Sequence, residues 1–419
     1  MIKMRFLFSI ALLLTTQGIY LSAQKTFRTD VFSPIIKTLQ LRANGDWEHP
    51  PVINLESDDY IEICFDELSA NQTRFTYSVV HCNADWTKSS LMPVEYMTGF
   101  QNQLLYDYEP SFNTTMDYTH YKLYFPNDDM KFLVSGNYVI LISEEGDENN
   151  PVLSACFSVV EQQVKTQMSI TANTDIDFNK SSQQLSITID YPSNIFSAMQ
   201  DFKIYVLQNN RRDNMVLLSA PSGVQPGKLT YQHNRKLIFE AGNEYRRFET
   251  VSTQYNGMNV QSVRYYSPYY HETLFPDDLR SRKSYIYDED QNGRFFIRSN
   301  DAYNYDTESD YTFVHFTLPC ERPFPDDIYI LSETFYNLLD ERSKMKYNYE
   351  NKAYEKAVLM KQGLYNYLYV SLKDSKPTTG LAEGNYFQTE NEYMILVYYR
   401  LPGGRYDKLI GMHNMKFVL

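Results

Sequence analysis

Basic residues, glycine, cysteine and tryptophan are all scarce in this chain of 419 residues, and each shortage removes a class of function. The 39 Lys and Arg stand against 52 Asp and Glu, a net charge of −13, whereas a nucleic-acid binder presents a basic face to phosphates. The four cysteines (Cys64, Cys82, Cys156, Cys320) are too few and too widely spaced for the dense framework of a small secreted scaffold. They allow three pairings, with Cys82–Cys156 one conceivable bridge, and a chain of this length can bury adequate cores without any. The 16 glycines build no glycine-rich phosphate loop and no nucleophile elbow. No paired metal cysteines occur, and the seven histidines are scattered singly with no pair at ligand spacing. After the N-terminus, no apolar run reaches the roughly 18 residues a membrane helix requires.

The N-terminus itself carries an address. Lys3 and Arg5 precede the largely apolar run Phe6–Leu14, and a small residue follows at Ala23, which together describe a secretory signal peptide over residues 1–23 cut between Ala23 and Gln24. Its removal takes away two basic residues and no acid, so the mature net charge becomes −15. The mature chain is expected to be exported and soluble.

What the chain has in excess is tyrosine, 37 residues, a side chain that favours pleated, half-buried surfaces and is enriched where proteins meet partners. Period-two alternation recurs throughout. Ile61, Ile63 and Phe65 share one strand face, with Glu62, Cys64 and Asp66 on the other. Phe75, Tyr77 and Val79 repeat the pattern and place His81 on the same face, and Thr119, Tyr121, Leu123 and Phe125 form another strand that Pro126 ends. Further strands are expected at Tyr138–Ile142, Phe157–Val160, Leu185–Ile189, Ile204–Val206, Thr312–Leu318, Ile328–Leu331, Tyr367–Val370 and Tyr393–Tyr399. Helical periodicity is confined to short stretches near Ser193–Gln200 and Phe335–Arg342. Short strands with polar turns between them predict an all-β chain of tandem immunoglobulin-like β-sandwich domains. The boundaries expected are 24–162, 163–318 and 319–419, with the three prolines between Pro319 and Pro325 read as a linker.

Several motifs look chemical and have simpler readings. His81-Cys82-Asn83-Ala84-Asp85-Trp86 strings together a base, a thiol, a carboxylate and a tryptophan. A Cys–His nucleophile also needs an orienting group and a cleft, so the run reads as a strand end with a buried Trp. Asp288-Glu289-Asp290-Gln291-Asn292-Gly293 mimics the start of a calcium loop, but Ser299 occupies the twelfth position, where a bidentate Glu is required. Asn292-Gly293 between two aromatic runs predicts a hairpin turn instead. The cluster from Gly242 to Glu249 reads as a turn followed by a strand carrying ion pairs, and the acids of Thr389-Glu390-Asn391-Glu392-Tyr393 as guards of a sheet edge. No catalytic, cofactor-binding or metal-ligating residue is assigned. The layout from Ile328 to Tyr367 resembles early-set sandwiches of the glycogen- and starch-binding type. Those grip sugar with exposed tryptophans, whereas Leu338-Leu339 stands where one would be expected here, so glycan binding is the secondary functional expectation.

A set of short segments in order along the chain resembles the plug proteins of the type IX (Por) secretion system of Bacteroidota. They begin with His81-Cys82-Asn83-Ala84-Asp85-Trp86, Glu95-Tyr96-Met97-Thr98-Gly99-Phe100 and Phe112-Asn113-Thr114-Thr115, followed by Ser135-Gly136-Asn137-Tyr138, Leu207-Gln208-Asn209 and Gly242-Asn243-Glu244-Tyr245-Arg246. The series closes with Lys361-Gln362-Gly363-Leu364-Tyr365-Asn366-Tyr367, Thr389-Glu390-Asn391-Glu392-Tyr393 and Arg405-Tyr406-Asp407. Arg212 and the missing C-terminal Trp depart from the pattern, and no binding role is carried onto those positions. The resemblance implies a periplasmic protein at the inner face of the outer membrane. It would seal the periplasmic opening of a large translocon barrel and would break no bond, need no cofactor and bind no nucleic acid. The signature residues are then expected to be structural.

Overall fold

The expected strand at Ile61 forms as Ile61–Glu67, but all seven of its residues are buried, not only the apolar face. Ile61, Ile63 and Phe65 point into a core shared with Phe75, Tyr121, Tyr138 and Phe157, while Glu62, Cys64 and Asp66 are covered by another part of the molecule. The computed structural model describes residues 26–419 apart from 70, 196–197 and 374–375. The signal peptide and the Ala23–Gln24 cut lie outside the described residues.

The chain is almost entirely β, arranged as several sandwich-like units. The first packs a four-stranded sheet, built around Ile61–Glu67 and Thr119–Phe125, against a six-stranded sheet that contains Phe75–Cys82, Gly136–Glu144 and Pro151–Val160. Phe65, Phe75, Tyr121, Tyr138 and Phe157 fill the layer between the sheets, each at most 1 % exposed. Full burial of a side chain of that size contributes about 1.5–3 kcal/mol.

The other two units are not consecutive segments. Phe202–Gln208 hydrogen-bonds antiparallel to Glu392–Tyr399, with Gln208 opposite Tyr393, and Lys408–Lys416 pairs on the outer side of that strand. This sheet packs on Lys165–Thr171 and Ser182–Asp190 through Leu185, Ile187, Ile204, Val206, Ile395 and Val397. The third core, from Phe248 to Ala382, is therefore inserted into the second. The serial division at 318/319 gives way to this arrangement, because alternation marks a strand but carries no information about its partner. Pro319–Pro325 is likewise no linker between units: it joins Tyr311–Pro319 to Ile328–Leu331, and both strands contribute to the third core.

Three local expectations also change. Asn292 and Gly293 have φ of 53° and 89° and form a tight turn, and Phe295–Ile297 follows as a strand. Residues 285–287 are not in a strand, so no hairpin closes. Glu392 lies on a strand flanked on both sides, so it guards no edge; its carboxylate meets the Arg294 guanidinium at 2.6 Å. The helical stretches reduce to Ala198–Asp201 and a 3₁₀ turn at Glu333–Phe335.

Candidate functional site

The signature residues converge on the places where the units meet. His81 continues the inward face of strand Phe75–Cys82, as its alternation predicts. Its ring lies edge-on to Tyr138 and Tyr406, with Nδ1 2.9 Å from Ser89 Oγ and Nε2 3.3 Å from the Ser135 carbonyl. Burial lowers its pKa to about 4, so the imidazole stays neutral. Gly136 has φ +141°, and a Cβ there would collide with that ring, which explains a glycine beside the histidine. Strand alternation sends Cys82 to the opposite face, into an apolar cluster with Trp86, Val139 and Cys156, where burial raises the thiol pKa. A neutral base and a protonated thiol on opposite faces make no nucleophile.

All four cysteines are free and buried. Cys82 pairs with Asn137, and Cys156 with Val139, on the two strands that flank Gly136–Glu144. Two strand spacings separate their Cα atoms by roughly 10 Å, beyond the ~7 Å limit for a disulfide.

The turn after Cys82 fastens the first unit to the second. Trp86 adopts φ +64°, uncommon for a bulky residue, and is held there by a bond from its N–H to the Asn83 carbonyl at 2.9 Å and by the Phe27 N–H donating to its own carbonyl at 3.0 Å. Arg212 of the second unit lies 3.6 Å above the indole ring and donates to the Phe27 carbonyl at 2.9 Å. Beside it, the Asp407 carboxylate, 0 % exposed, accepts from the Ala84 N–H at 3.0 Å, from Lys203 at 2.9 Å and from Arg400 at 2.8 Å. Burial opposes its charge, but these three donors hold its pKa below the usual value. Arg400 also donates to the Asn83 side chain at 2.9 Å, and Tyr398 and Ser158 both donate to Asn137 Oδ1 at 2.7 and 2.8 Å. Asp85 caps the turn by accepting from the Thr87 N–H at 3.1 Å.

A second junction joins the first unit to the third. Asp66, on the covered face of Ile61–Glu67, accepts from Lys361 Nζ at 2.7 Å and from Tyr311 at 2.6 Å, and lies 2.6 Å from His120 Nδ1. Lys361 and Asp66 are 1 % and 0 % exposed, and the ammonium lies 4.2 Å from the centre of the Tyr118 ring. Burial opposes the Asp66 charge, yet Lys361 and His120 keep its pKa below the normal range. A register shift between Lys37 and Gln40, with Thr38 at φ 52°, brings the Thr38 hydroxyl within 2.6 Å of Tyr311 Oη.

The remaining signature residues brace the third unit and its seam with the second. Gln362 accepts from the Asp310 N–H at 2.9 Å, and a Cβ at Gly363 would strike Phe296. Tyr365 donates to the Lys361 carbonyl, Asn366 exchanges two bonds with Gln291, and Tyr367 donates to Asp277 at 2.8 Å. Arg246 bridges Asp277 at 2.8 Å and Glu383 at 3.0 Å. Gly242 takes φ +68°, and the Asn243 side chain donates to the Glu383 carbonyl at 2.9 Å. Glu244 accepts from Tyr285 and from the Glu390 N–H at 3.1 Å, and burial raises its pKa. Asn391 donates to Gln183 at 3.0 Å and to the Ala241 carbonyl at 2.8 Å, and Tyr393 donates to the same Gln183 oxygen at 2.7 Å.

Both tryptophans, far apart in sequence, line one cavity of about 350 Å³ where the three units meet, together with Arg42, Arg212 and Tyr398. Trp47 packs on Phe296 at 5.2 Å, and Trp86 is only 7 % exposed beneath Arg212, so its ring offers no open platform for a sugar. Arg212 is thus a junction residue. Among the described residues, no group of three or more His, Cys, Asp or Glu has metal-binding geometry, and no helix is long and apolar enough to cross a membrane. Sequence reading missed one pair: His271 and His315, 44 positions apart, lie 2.8 Å apart nitrogen to nitrogen. Only the parallel register of their two strands reveals it.

Residues 36–161 match the model of the Type 9 secretion system plug protein 1st domain. The crystal structure of a hypothetical protein from Parabacteroides merdae is similar to this chain at 49 % identity, covering 94 % of this chain and all of that one, with a TM-score of 0.92. No curated protein matches the chain.

Proposed function

Because the chain belongs to the Type 9 secretion system plug protein family, a non-catalytic component of that machinery, we propose that it closes the periplasmic opening of the outer-membrane translocon barrel. The observation that carries this reading is the plug-domain match over residues 36–161, which spans nearly all of the first unit. The architecture supports it. A plug has to resist deformation, and here both junctions onto the first unit are locked by buried, hydrogen-bonded charges. The signature residues serve that internal locking, so the surface that meets the barrel is drawn from side chains outside the signature. The protein acts in the periplasm, at the inner face of the outer membrane. The paired, mostly antiparallel sheets are read as immunoglobulin-type sandwiches, on their two-layer packing around aromatic cores.

The test is native co-purification. The protein is tagged at its C-terminus in its own host, the envelope is solubilised in mild detergent, and partners are identified by mass spectrometry. Recovery of a very large outer-membrane barrel supports the plug. Recovery of the protein alone, from a host that makes such a barrel, sinks it.

A further inference from the structure

We propose that the open cleft on the outer face of the third unit's five-stranded sheet binds an oxyanion, a phosphate or phosphate ester. The sheet runs in the order Val260–Tyr266, Tyr269–Leu274, Tyr311–Pro319, Ala353–Lys361, Lys346–Asn348. Pairing puts Arg264 opposite His271, Ser262 opposite Thr273, and Thr273 beside His315 on the parallel strand, so all five share one face. That face is buried against the first unit only at its far end, where Tyr311 and Lys361 reach Asp66. The rest is open: Arg264, Ser262, Gln261, His271, Thr273 and His315, with Tyr266, line a cleft of about 660 Å³.

The composition of that lining carries the inference. Every one of the seven side chains can donate a hydrogen bond, and none is a carboxylate, in a chain with 13 more acids than bases. The two imidazoles stack with ring centres 5.1 Å apart, His271 Nδ1 lying 2.8 Å from His315 Nε2. A transition metal could take two nitrogens at such a spacing, but it would face the Arg264 guanidinium in a lining that holds no acid to offset its charge. An anion meets the reverse: a guanidinium fork, a hydrogen-bonded imidazole pair able to take up one proton, and hydroxyl and amide donors.

In the cleft, burial and then the His271 neighbour hold the His315 pKa below its normal value. An oxyanion would favour the protonated pair, so binding takes up protons and is stronger in mild acid. The charged and titratable groups on the face of the pair are Arg264, Tyr266 and Tyr269 on one side and Glu355, with Lys346 opposite it, on the other. Glu355 already accepts from Asn348 at 3.0 Å and from Asn351 at 2.8 Å.

The proposal is independent of the plug reading, and the mature chain is its own test object. Calorimetric titration with inorganic phosphate at fixed ionic strength should show saturable binding near pH 6 that weakens toward pH 8. Arg264→Gln should weaken it about ten-fold or more, the loss of one charge-assisted bond, and replacing both histidines, His271→Ala with His315→Ala, should remove the strengthening at low pH. Thermal melting of the unliganded variants checks that the fold is kept. Sedimentation with phosphatidylglycerol vesicles separates the two sources. Arg264-dependent vesicle binding assigns a lipid headgroup, phosphate binding without it a soluble ligand, and both uphold the site. Absence of saturable phosphate binding near pH 6, binding untouched by Arg264→Gln, or nickel binding in place of phosphate would overturn the proposal.

Discussion

The two junctions that hold the first unit carry similar charges in dissimilar settings. At Asp66 the carboxylate and its cationic partner are both sealed from water, with Lys361 1 % exposed. At Asp407 the carboxylate is sealed, but Lys203 and Arg400 are 41 % and 38 % exposed and can turn to solvent. The difference decides what a substitution costs. A buried charge stripped of a buried partner has nowhere to go, whereas an exposed cation that loses its acid is rehydrated. The Asp66 junction is all-or-none, and the Asp407 junction can yield by degrees.

The largest effect follows from breaking the sealed pair. Lys361→Met should destabilise the protein by about 3–5 kcal/mol in chemical denaturation, and adding Asp66→Asn should restore part of that loss. If the double variant is no better than the single one, the cost is packing and not unpaired charge. Next is acid sensitivity behind the Asp407 junction. With its folded pKa near 4 against a normal 6.5, His81 binds its proton more readily in the unfolded chain. Stability present above pH 6.5 is therefore lost as pH falls toward 4, on the order of 3 kcal/mol. The slope of denaturation midpoint against pH should flatten in His81→Asn. Asp407→Asn should cost less than Lys361→Met, about 1–2 kcal/mol, because its two cationic partners can reach water. An equal loss in the two would erase the contrast between the junctions. Arg212→Ala should cost about 1 kcal/mol, the share of a cation over an indole, and should raise the fluorescence response of Trp86 to added quencher.

The same contrast marks where sequence reading succeeds. Ile61, Ile63 and Phe65 announce an inner face, and the run from His81 to Trp86 was legible as a strand end with a buried tryptophan, because both depend on neighbours within a few residues. Glu62, Cys64 and Asp66 look in sequence like a face turned to water. The burial of Asp66 depends on Lys361, 295 positions away, and alternation has no means of naming a partner at that range. The cavity shared by Trp47 and Trp86, the pairing of His271 with His315 and the nesting of one unit in another are hidden for the same reason. The signature segments kept their order along the chain, yet the contacts that explain them lie between segments.

The nesting has a consequence in time. A chain delivered N-terminus first has everything needed for its first core once Val160 has emerged, and for its third once Ala382 has. The second core begins earlier than the third but waits for Glu392–Tyr399 and Lys408–Lys416. Until those strands arrive, Phe202–Gln208 presents an unpaired edge of the kind that captures other chains. Closing the loop adds little to the final free energy, since that cost grows only with the logarithm of its length, but it makes the last strands the slow ones. Truncation before Glu392 should therefore strand the middle of the protein and leave both of its neighbours formed, and a holding chaperone would find its target at Phe202–Gln208.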